Sequence, residues 1–141
     1  MKKILIPILF GLIVVAFANT AGFAQRLPKD NFITVNFEYD KSNLTADSRS
    51  SLKDNADYLL KNPKLDIVVE GHCDERGTTQ YNMALGQRRA MEVKEFYVKQ
   101  GINSNRIATI SYGSQKPLDP RSNEAAWAKN RRTETKVVIK N

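Results

Sequence analysis

The stretch 82–99 alternates apolar and polar positions with the period of a helix. At about 100° per residue, one side collects the apolar residues and one arginine: Asn82, Leu85, Gly86, Arg89, Ala90, Val93, Phe96 and Tyr97. The other side carries Gln87, Arg88, Glu92, Lys94, Glu95 and Lys99. The pattern therefore predicts a helix that directs Arg89 toward the interior and its neighbour Arg88 toward solvent.

Two further helices are predicted from caps and breakers. Thr45 can cap a helix that runs to about Leu60, and Asn62-Pro63 ends that helix. A short helix is predicted over 124–130. Gly101 supplies a stop signal for the long amphipathic helix, because glycine tolerates the left-handed conformation at a helix C-terminus.

Four segments have the short apolar, β-branched or aromatic character of strands. They span 32–39, 65–70, 107–112 and 135–139. Strands that alternate with helical segments are typical of an α/β (α+β) sandwich, in which helices cover one face of a single sheet. The chain shows no internal repeat and no second domain.

The first 24 residues have the pattern of a secretion signal. Lys2-Lys3 precedes an apolar run over 4–18, and Gly22-Phe23-Ala24 offers small residues to a signal peptidase. The apolar run is shorter than the roughly 20 residues of a membrane-spanning helix. We therefore expect a signal peptide that is cleaved after Ala24, with an uncleaved anchor as the alternative.

The remaining chain divides into a short polar leader over 25–31 and one globular domain over 32–141. The first 24 residues hold two of the 22 basic side chains and none of the 15 acidic ones, which leaves a net charge of about +5. A basic surface attracts polyanions, and an exported protein meets the cell wall rather than nucleic acid. The alternative is that scattered charges only keep the domain soluble.

Arg89 is the most informative charged residue. A half-buried guanidinium does not deprotonate and is costly without a partner. The nearest carboxylates are those of Asp74 and Glu75, in the loop before the helix. Two interpretations remain open: an internal ion pair between Asp74 and Arg89, or a ligand site that uses both.

Neither a metal site nor an enzyme is predicted. His72, Cys73, Asp74 and Glu75 all have metal-binding side chains, but four adjacent residues cannot converge on one ion, and the chain has no other His or Cys. The same adjacency argues against a Cys-His-Asp nucleophile. No pair of carboxylates is distinguished as acid and base. Cys73 is expected to be a buried free thiol, and no cofactor is expected.

The run GHCDERGTTQYNMALGQRRA, at 71–90, closely resembles the core motif of the OmpA-like peptidoglycan-binding domain. The resemblance is strongest to the peptidoglycan-associated lipoproteins. It extends through FEYDKSNL, SYGSQKP and NEAAWAKNRR and covers roughly residues 32 to 139. It implies the order β-α-β-α-β-(α)-β, with one mixed sheet covered by helices.

The resemblance implies noncatalytic binding of peptidoglycan through the diaminopimelate of its peptide stem. Asp74 and Arg89 match the family residues that grip the amino-acid end of that side chain, and a carboxylate beside a guanidinium suits a zwitterion. Asn82 either bonds the ligand or satisfies the loop. Asp40 either bonds the ligand or caps its own loop. Glu38 stands where the family commonly has Asp, so no ligand contact is assigned to it.

Other positions are expected to shape the site or the fold. His72, Gly71 and Gly77 are interpreted as loop-orienting residues, His72 through a hydrogen bond. Trp127 is expected in the core. The pair Arg131-Arg132 matches a family pair and is expected either to hold acidic groups of the fold or to reach wall carboxylates.

Partners and location follow from the same resemblance. Peptidoglycan-associated lipoproteins also dock a periplasmic propeller protein of the Tol system, so a propeller partner is a second candidate. A lipoprotein needs a Cys at its cleavage point, and this chain has its single Cys at position 73. We therefore expect a periplasmic, wall-associated protein whose association with the outer membrane does not use a visible lipid site.

Overall fold

The computed structural model describes residues 32–138. The expected signal peptide, the leader over 25–31 and the last three residues lie outside the described residues. Seven main elements follow in the order β1 (Val35–Asn36), α1 (Ala46–Lys61), β2 (Asp66–His72), α2 (Thr79–Lys99), β3 (Ile107–Gly113), α3 (Glu124–Asn130) and β4 (Arg132–Val138). A single 3₁₀ turn, Ser104–Arg106, precedes β3.

The four strands form one mixed sheet in the order β1-β4-β2-β3. β2 runs parallel to β3, whereas β4 is antiparallel to both β1 and β2. The helices α1 and α2 pack together, and α2 also contacts β2, β3 and β4. This arrangement confirms the predicted α/β sandwich with one mixed sheet and the predicted order of elements.

The Thr45 cap and the Gly101 stop were predicted from the sequence, and the Thr78 cap was not. The Thr45 hydroxyl accepts the Ser48 N–H at the start of α1, and the Thr78 hydroxyl accepts the Tyr81 N–H at the start of α2. Gly101, at φ 102°, lies just beyond the end of α2 and confirms the predicted stop. No helix within residues 32–138 is long and apolar enough to cross a membrane.

The core lies between the sheet and the helices α1 and α2. Its fully enclosed members include Leu52, Leu59, Val69, Val93 and Tyr97. At the centre β2 and α2 approach so closely that a Cβ added to Gly71 would lie 1.8 Å from the carbonyl oxygen of Gly86. This close contact fixes where the loop between β2 and α2 begins, and that loop carries the candidate site.

The predicted first strand over 32–39 is wrong in length, because only Val35–Asn36 forms β1. Upstream, the N–H and C=O of Ile33 bond the side-chain amide of Asn55 instead of a neighbouring strand. Downstream, the side chains of Arg131 and Arg89 donate hydrogen bonds to the carbonyls of Phe37 and Glu38, respectively. These side-chain bonds replace part of the strand pairing, although the Phe37 N–H still donates to the Arg131 carbonyl at 3.0 Å.

Candidate functional site

A small cavity of about 50 Å³ opens between the loop after β2, the first turns of α2 and the loop after β1. It brings together four of the residues predicted to contact ligand, which come from three separate parts of the chain. The lining residues are Tyr39, Asp40, Cys73, Asp74, Arg76, Gly77, Tyr81, Asn82, Leu85 and Arg89.

Arg89 is fully enclosed, with 0% of its surface exposed. Its Nε donates to the Lys41 carbonyl at 2.8 Å, its Nη1 to the His72 carbonyl at 2.9 Å, and its Nη2 to the Glu38 carbonyl at 3.2 Å. Burial lowers the pKa of this guanidinium, which still remains charged at neutral pH. Three neutral carbonyls therefore surround a full positive charge. Two of the five N–H groups of the side chain do not donate to a carbonyl.

Asp74 does not pair with Arg89, so the internal ion pair considered from the sequence is not formed. Its Oδ1 accepts the Arg76 backbone N–H at 2.9 Å, and its Oδ2 accepts Arg76 Nη2 at 2.9 Å. Arg131 Nη1 lies 3.5 Å from the same Oδ2. Burial raises the pKa of Asp74, but the hydrogen bonds from Arg76 outweigh that effect and hold the pKa below its ordinary value.

Arg76 was not anticipated from the sequence, although it contributes a second cation to the cavity. Its guanidinium lies 4.1 Å from the ring centroids of both Tyr39 and Trp127, between the two rings. Trp127 is only partly buried and donates its Nε1–H to Glu75 Oε1 at 3.0 Å. The prediction that Trp127 belongs to the core is therefore wrong, because its ring covers Arg76 at the edge of the site.

Asp40 and Asn82 hold the two loops that frame the cavity. Asp40 adopts the left-handed conformation, with φ 55°, and its Oδ1 accepts the Tyr81 hydroxyl. The Asn82 amide donates to the carbonyls of Arg76 and Asp74 at 3.1 and 3.4 Å. Gly77, at φ 98°, allows the loop to turn back over Asn82. A ligand contact by either polar residue remains a prediction.

The interpretation of His72 and Gly71 as loop-orienting residues needs correction. Neither ring nitrogen of His72 has a hydrogen-bond partner among the described residues, and the ring stacks on Tyr112 away from the loop. Its backbone carbonyl instead holds Arg89. Gly71 lies within β2 and sets the distance between strand and helix. The difference arises because β2 continues to His72, two residues beyond the predicted end.

Cys73 is buried, as predicted, and its Sγ donates to the Asn82 carbonyl at 3.2 Å. Burial raises the pKa of this thiol, which disfavours the reactive thiolate. The pair Arg131-Arg132 holds groups of the fold: Arg131 Nη2 bonds Glu124 at 3.2 Å, and Arg132 Nε bonds Glu134 at 3.3 Å. Both arginines are nearly enclosed.

The cavity therefore presents a carboxylate and a guanidinium that do not neutralise each other. Asp74 offers oxygen acceptors to a cationic group, and Arg89 offers its remaining N–H groups to an anionic group. A molecule that carries both charges within a few bonds can satisfy the two side chains at once. The cavity admits small polar groups, which suits one end of an amino acid.

Comparison with known proteins identifies peptidoglycan-associated lipoproteins as relatives of this chain. The chain is 39% identical over 120 residues to the peptidoglycan-associated lipoprotein of Brucella melitensis, which covers 85% of this chain and 71% of that protein. It is 42% identical over 111 residues to the peptidoglycan-associated lipoprotein of Haemophilus influenzae, which covers 79% of this chain and 72% of that protein.

Solved structures agree in fold. The peptidoglycan-associated lipoprotein of Burkholderia pseudomallei superimposes with a TM-score of 0.72 at 34% identity, over 74% of this chain and 89% of that chain. The cell wall anchor of the type VI secretion system of Pseudomonas aeruginosa gives a TM-score of 0.65 at 26% identity, over 76% and 80% of the two chains. Residues 36–131 match the family described as OmpA. On the motif, the fold and these matches together, the chain belongs to the OmpA family.

Proposed function

We propose that this protein binds peptidoglycan noncovalently, without catalysis, through the zwitterionic end of diaminopimelate in the peptide stem. One observation carries the proposal: Asp74 and Arg89 line the same cavity, and neither neutralises the other. Relatives named peptidoglycan-associated lipoproteins support the choice of polymer. The protein then acts in the periplasm, attaching the envelope to the wall near the outer membrane.

The two charges of the ligand have distinct places. The ligand carboxylate takes the N–H groups of Arg89 that no backbone carbonyl accepts, and the ligand ammonium approaches Asp74, which it shares with Arg76. Each charge-assisted hydrogen bond contributes about 1.5–3 kcal/mol. After the cost of ordering a flexible stem, a single site reaches a Kd of roughly millimolar to micromolar. Retention on the wall then comes from the density of sites on the polymer.

The test is cosedimentation of the chain lacking residues 1–24 with purified sacculi of the diaminopimelate type and of the lysine type. We expect selective pelleting with the diaminopimelate wall, and a loss of about tenfold or more in affinity for Asp74→Asn. Asp119→Asn is a matched control, because Asp119 holds Arg121 through the same set of hydrogen bonds without lining the cavity.

Each other outcome of that test has a defined meaning. Equal pelleting with both walls would indicate adhesion through the basic surface and would contradict a diaminopimelate site. Unchanged binding by Asp74→Asn would show that Asp74 does not contribute to ligand binding. Release of soluble muropeptides from the sacculi would contradict the noncatalytic function and indicate a hydrolase.

The pH dependence gives an independent prediction. Because the folded-state pKa of Asp74 is lowered, its charge is fully present above the ordinary value of 3.8 and is lost as pH falls through the lowered pKa. We expect binding to diaminopimelate sacculi to stay constant between about pH 8 and about pH 5 at fixed ionic strength. A loss of binding near pH 6 would instead assign the site to a different titrating group.

A partner protein is the second candidate, favoured by exposed apolar and aromatic side chains near the cavity. Tyr39 and Tyr81 line the cavity and are 58% and 45% exposed. Met83, two residues after Tyr81, is 36% exposed. Aromatic residues and Met are enriched in protein interfaces. A Tol-type propeller protein is the proposed partner. Retention of that protein in a pulldown despite excess wall fragments would favour a separate docking function.

A further inference from the structure

A second polar cluster lies on the face of the sheet opposite α2. Glu70 and His72 are two residues apart on β2, so their side chains share one face. Glu134 on β4 is directly paired with Glu70. Gly71, between the two β2 residues, faces α2, and none of the three side chains of the cluster lines the candidate ligand cavity.

His72 makes this cluster unusual. The residue is 1% exposed, and neither Nδ1 nor Nε2 has a hydrogen-bond partner among the described residues. Its Nε2 lies 3.5 Å from Glu70 Oε1 and 3.9 Å from Glu134 Oε2. A buried imidazole without a partner is unfavourable, and this one directs a ring nitrogen at two carboxylates.

The three side chains are close enough together to bind one ion. One ligand atom from each of Glu70, His72 and Glu134 lies within 4.8 Å of the other two. Bonds of about 2.0–2.2 Å in a tetrahedral zinc site place neighbouring ligand atoms roughly 3.3–3.6 Å apart. The separation of 3.5 Å between His72 and Glu70 is within that range, and that of 3.9 Å between His72 and Glu134 is slightly longer. One imidazole with two carboxylates suits Zn²⁺ better than Mg²⁺ or Ca²⁺, which prefer oxygen ligands only.

We propose that Glu70, His72 and Glu134 form a binding site for a divalent transition-metal ion, with Zn²⁺ as the preferred ion. The three side chains leave a fourth position for water, as in other three-ligand zinc sites. Arg132 Nε bonds the other oxygen of Glu134, Oε1, at 3.3 Å and orients that carboxylate. The site is independent of the proposed wall-binding function.

Lys136 pairs with the two carboxylates of this cluster. Its Nζ lies 3.0 Å from Glu70 Oε1 and 3.5 Å from Glu134 Oε2, the same two oxygens that face His72. The Lys136 side chain is 53% exposed, so it can swing into solvent when an ion arrives. Lys136 therefore competes with the metal and limits its affinity.

This competition gives the sharpest test. Calorimetric titration of the purified chain lacking residues 1–24, without a histidine tag, with ZnCl₂ should give one site per chain, and MgCl₂ should give none. Lys136→Met should bind Zn²⁺ at least tenfold more tightly, because it removes the competing ammonium and keeps the aliphatic stem. Glu134→Gln and His72→Gln should each weaken binding at least tenfold, with folding verified by circular dichroism.

Two controls separate this cluster from other metal-binding groups. Cys73→Ser tests the neighbouring thiol, and Glu75→Gln tests an acidic residue outside the cluster; both should bind Zn²⁺ as the parent chain does. Co²⁺ should give the visible absorption of a tetrahedral ion in Lys136→Met. Binding that persists in Glu134→Gln, or no binding by Lys136→Met, would overturn the proposal.

Discussion

Arg89→Ala is expected to lower the free energy of unfolding by about 3–5 kcal/mol, because three hydrogen bonds from a charged donor are lost. The substitution removes hydrogen bonds to three backbone carbonyls, a buried one on His72 and partly buried ones on Glu38 and Lys41. These carbonyls belong to the loop after β1 and to the end of β2, so the loss loosens both walls of the cavity. Urea denaturation followed by circular dichroism measures the change.

Arg88→Ala is the matched control, because Arg88 is the adjacent arginine on the outward side of α2. Its stability should change by no more than about 0.5 kcal/mol. An Arg89→Ala domain as stable as the parent would contradict the role of Arg89 in holding the two loops. The expected loss of stability also affects binding experiments. A weaker binding of Arg89→Ala could come from a lost ligand contact or from partial unfolding. Arg89→Lys keeps the charge and is the better variant to compare with Asp74→Asn.

Gly71→Ala is expected to destabilise the domain by about 3 kcal/mol or more. The added Cβ would lie 1.8 Å from the Gly86 carbonyl oxygen and 2.5 Å from its carbonyl carbon. Both are backbone atoms of α2, so no side chain can rotate away and the helix must move off the strand. Thermal and urea unfolding measure the effect.

Gly101→Ala provides the comparison for Gly71→Ala. Gly101 has φ 102°, but its added Cβ would meet only Leu60 Cδ2, at 3.8 Å. Its cost is therefore that of a left-handed backbone alone, about 1–2 kcal/mol. If Gly101→Ala proved more damaging than Gly71→Ala, the close contact between β2 and α2 could not be the main constraint.

The buried side of α2 follows from the spacing of its apolar residues alone. Seven of the eight residues assigned to that side by periodicity are buried, and Phe96 is partly buried. Helical spacing is local, so it identifies which side chains turn inward without knowledge of what they meet. The same spacing put Asn82 and Arg89 on one side of α2, and the family motif added Asp74.

Arg76 could have been found from a local signal. Asp74 and Arg76 repeat the spacing of Asp119 and Arg121, and in both pairs the aspartate accepts the backbone N–H and the guanidinium of the residue two positions later. That turn is a property of the short sequence. The two aromatic rings around Arg76 could not be found in this way, since they come from distant segments.

Short segments of the sequence were enough to predict the three helices, the Thr45 cap, the buried side of α2 and the family, because these depend on local spacing. The tertiary structure decided which charges meet. It placed Asp74 against Arg76 and Arg131, gave Arg89 three carbonyls in place of a carboxylate, and brought Glu134 beside His72. Such partners depend on strand register and on loop paths across the whole domain, which no local pattern specifies.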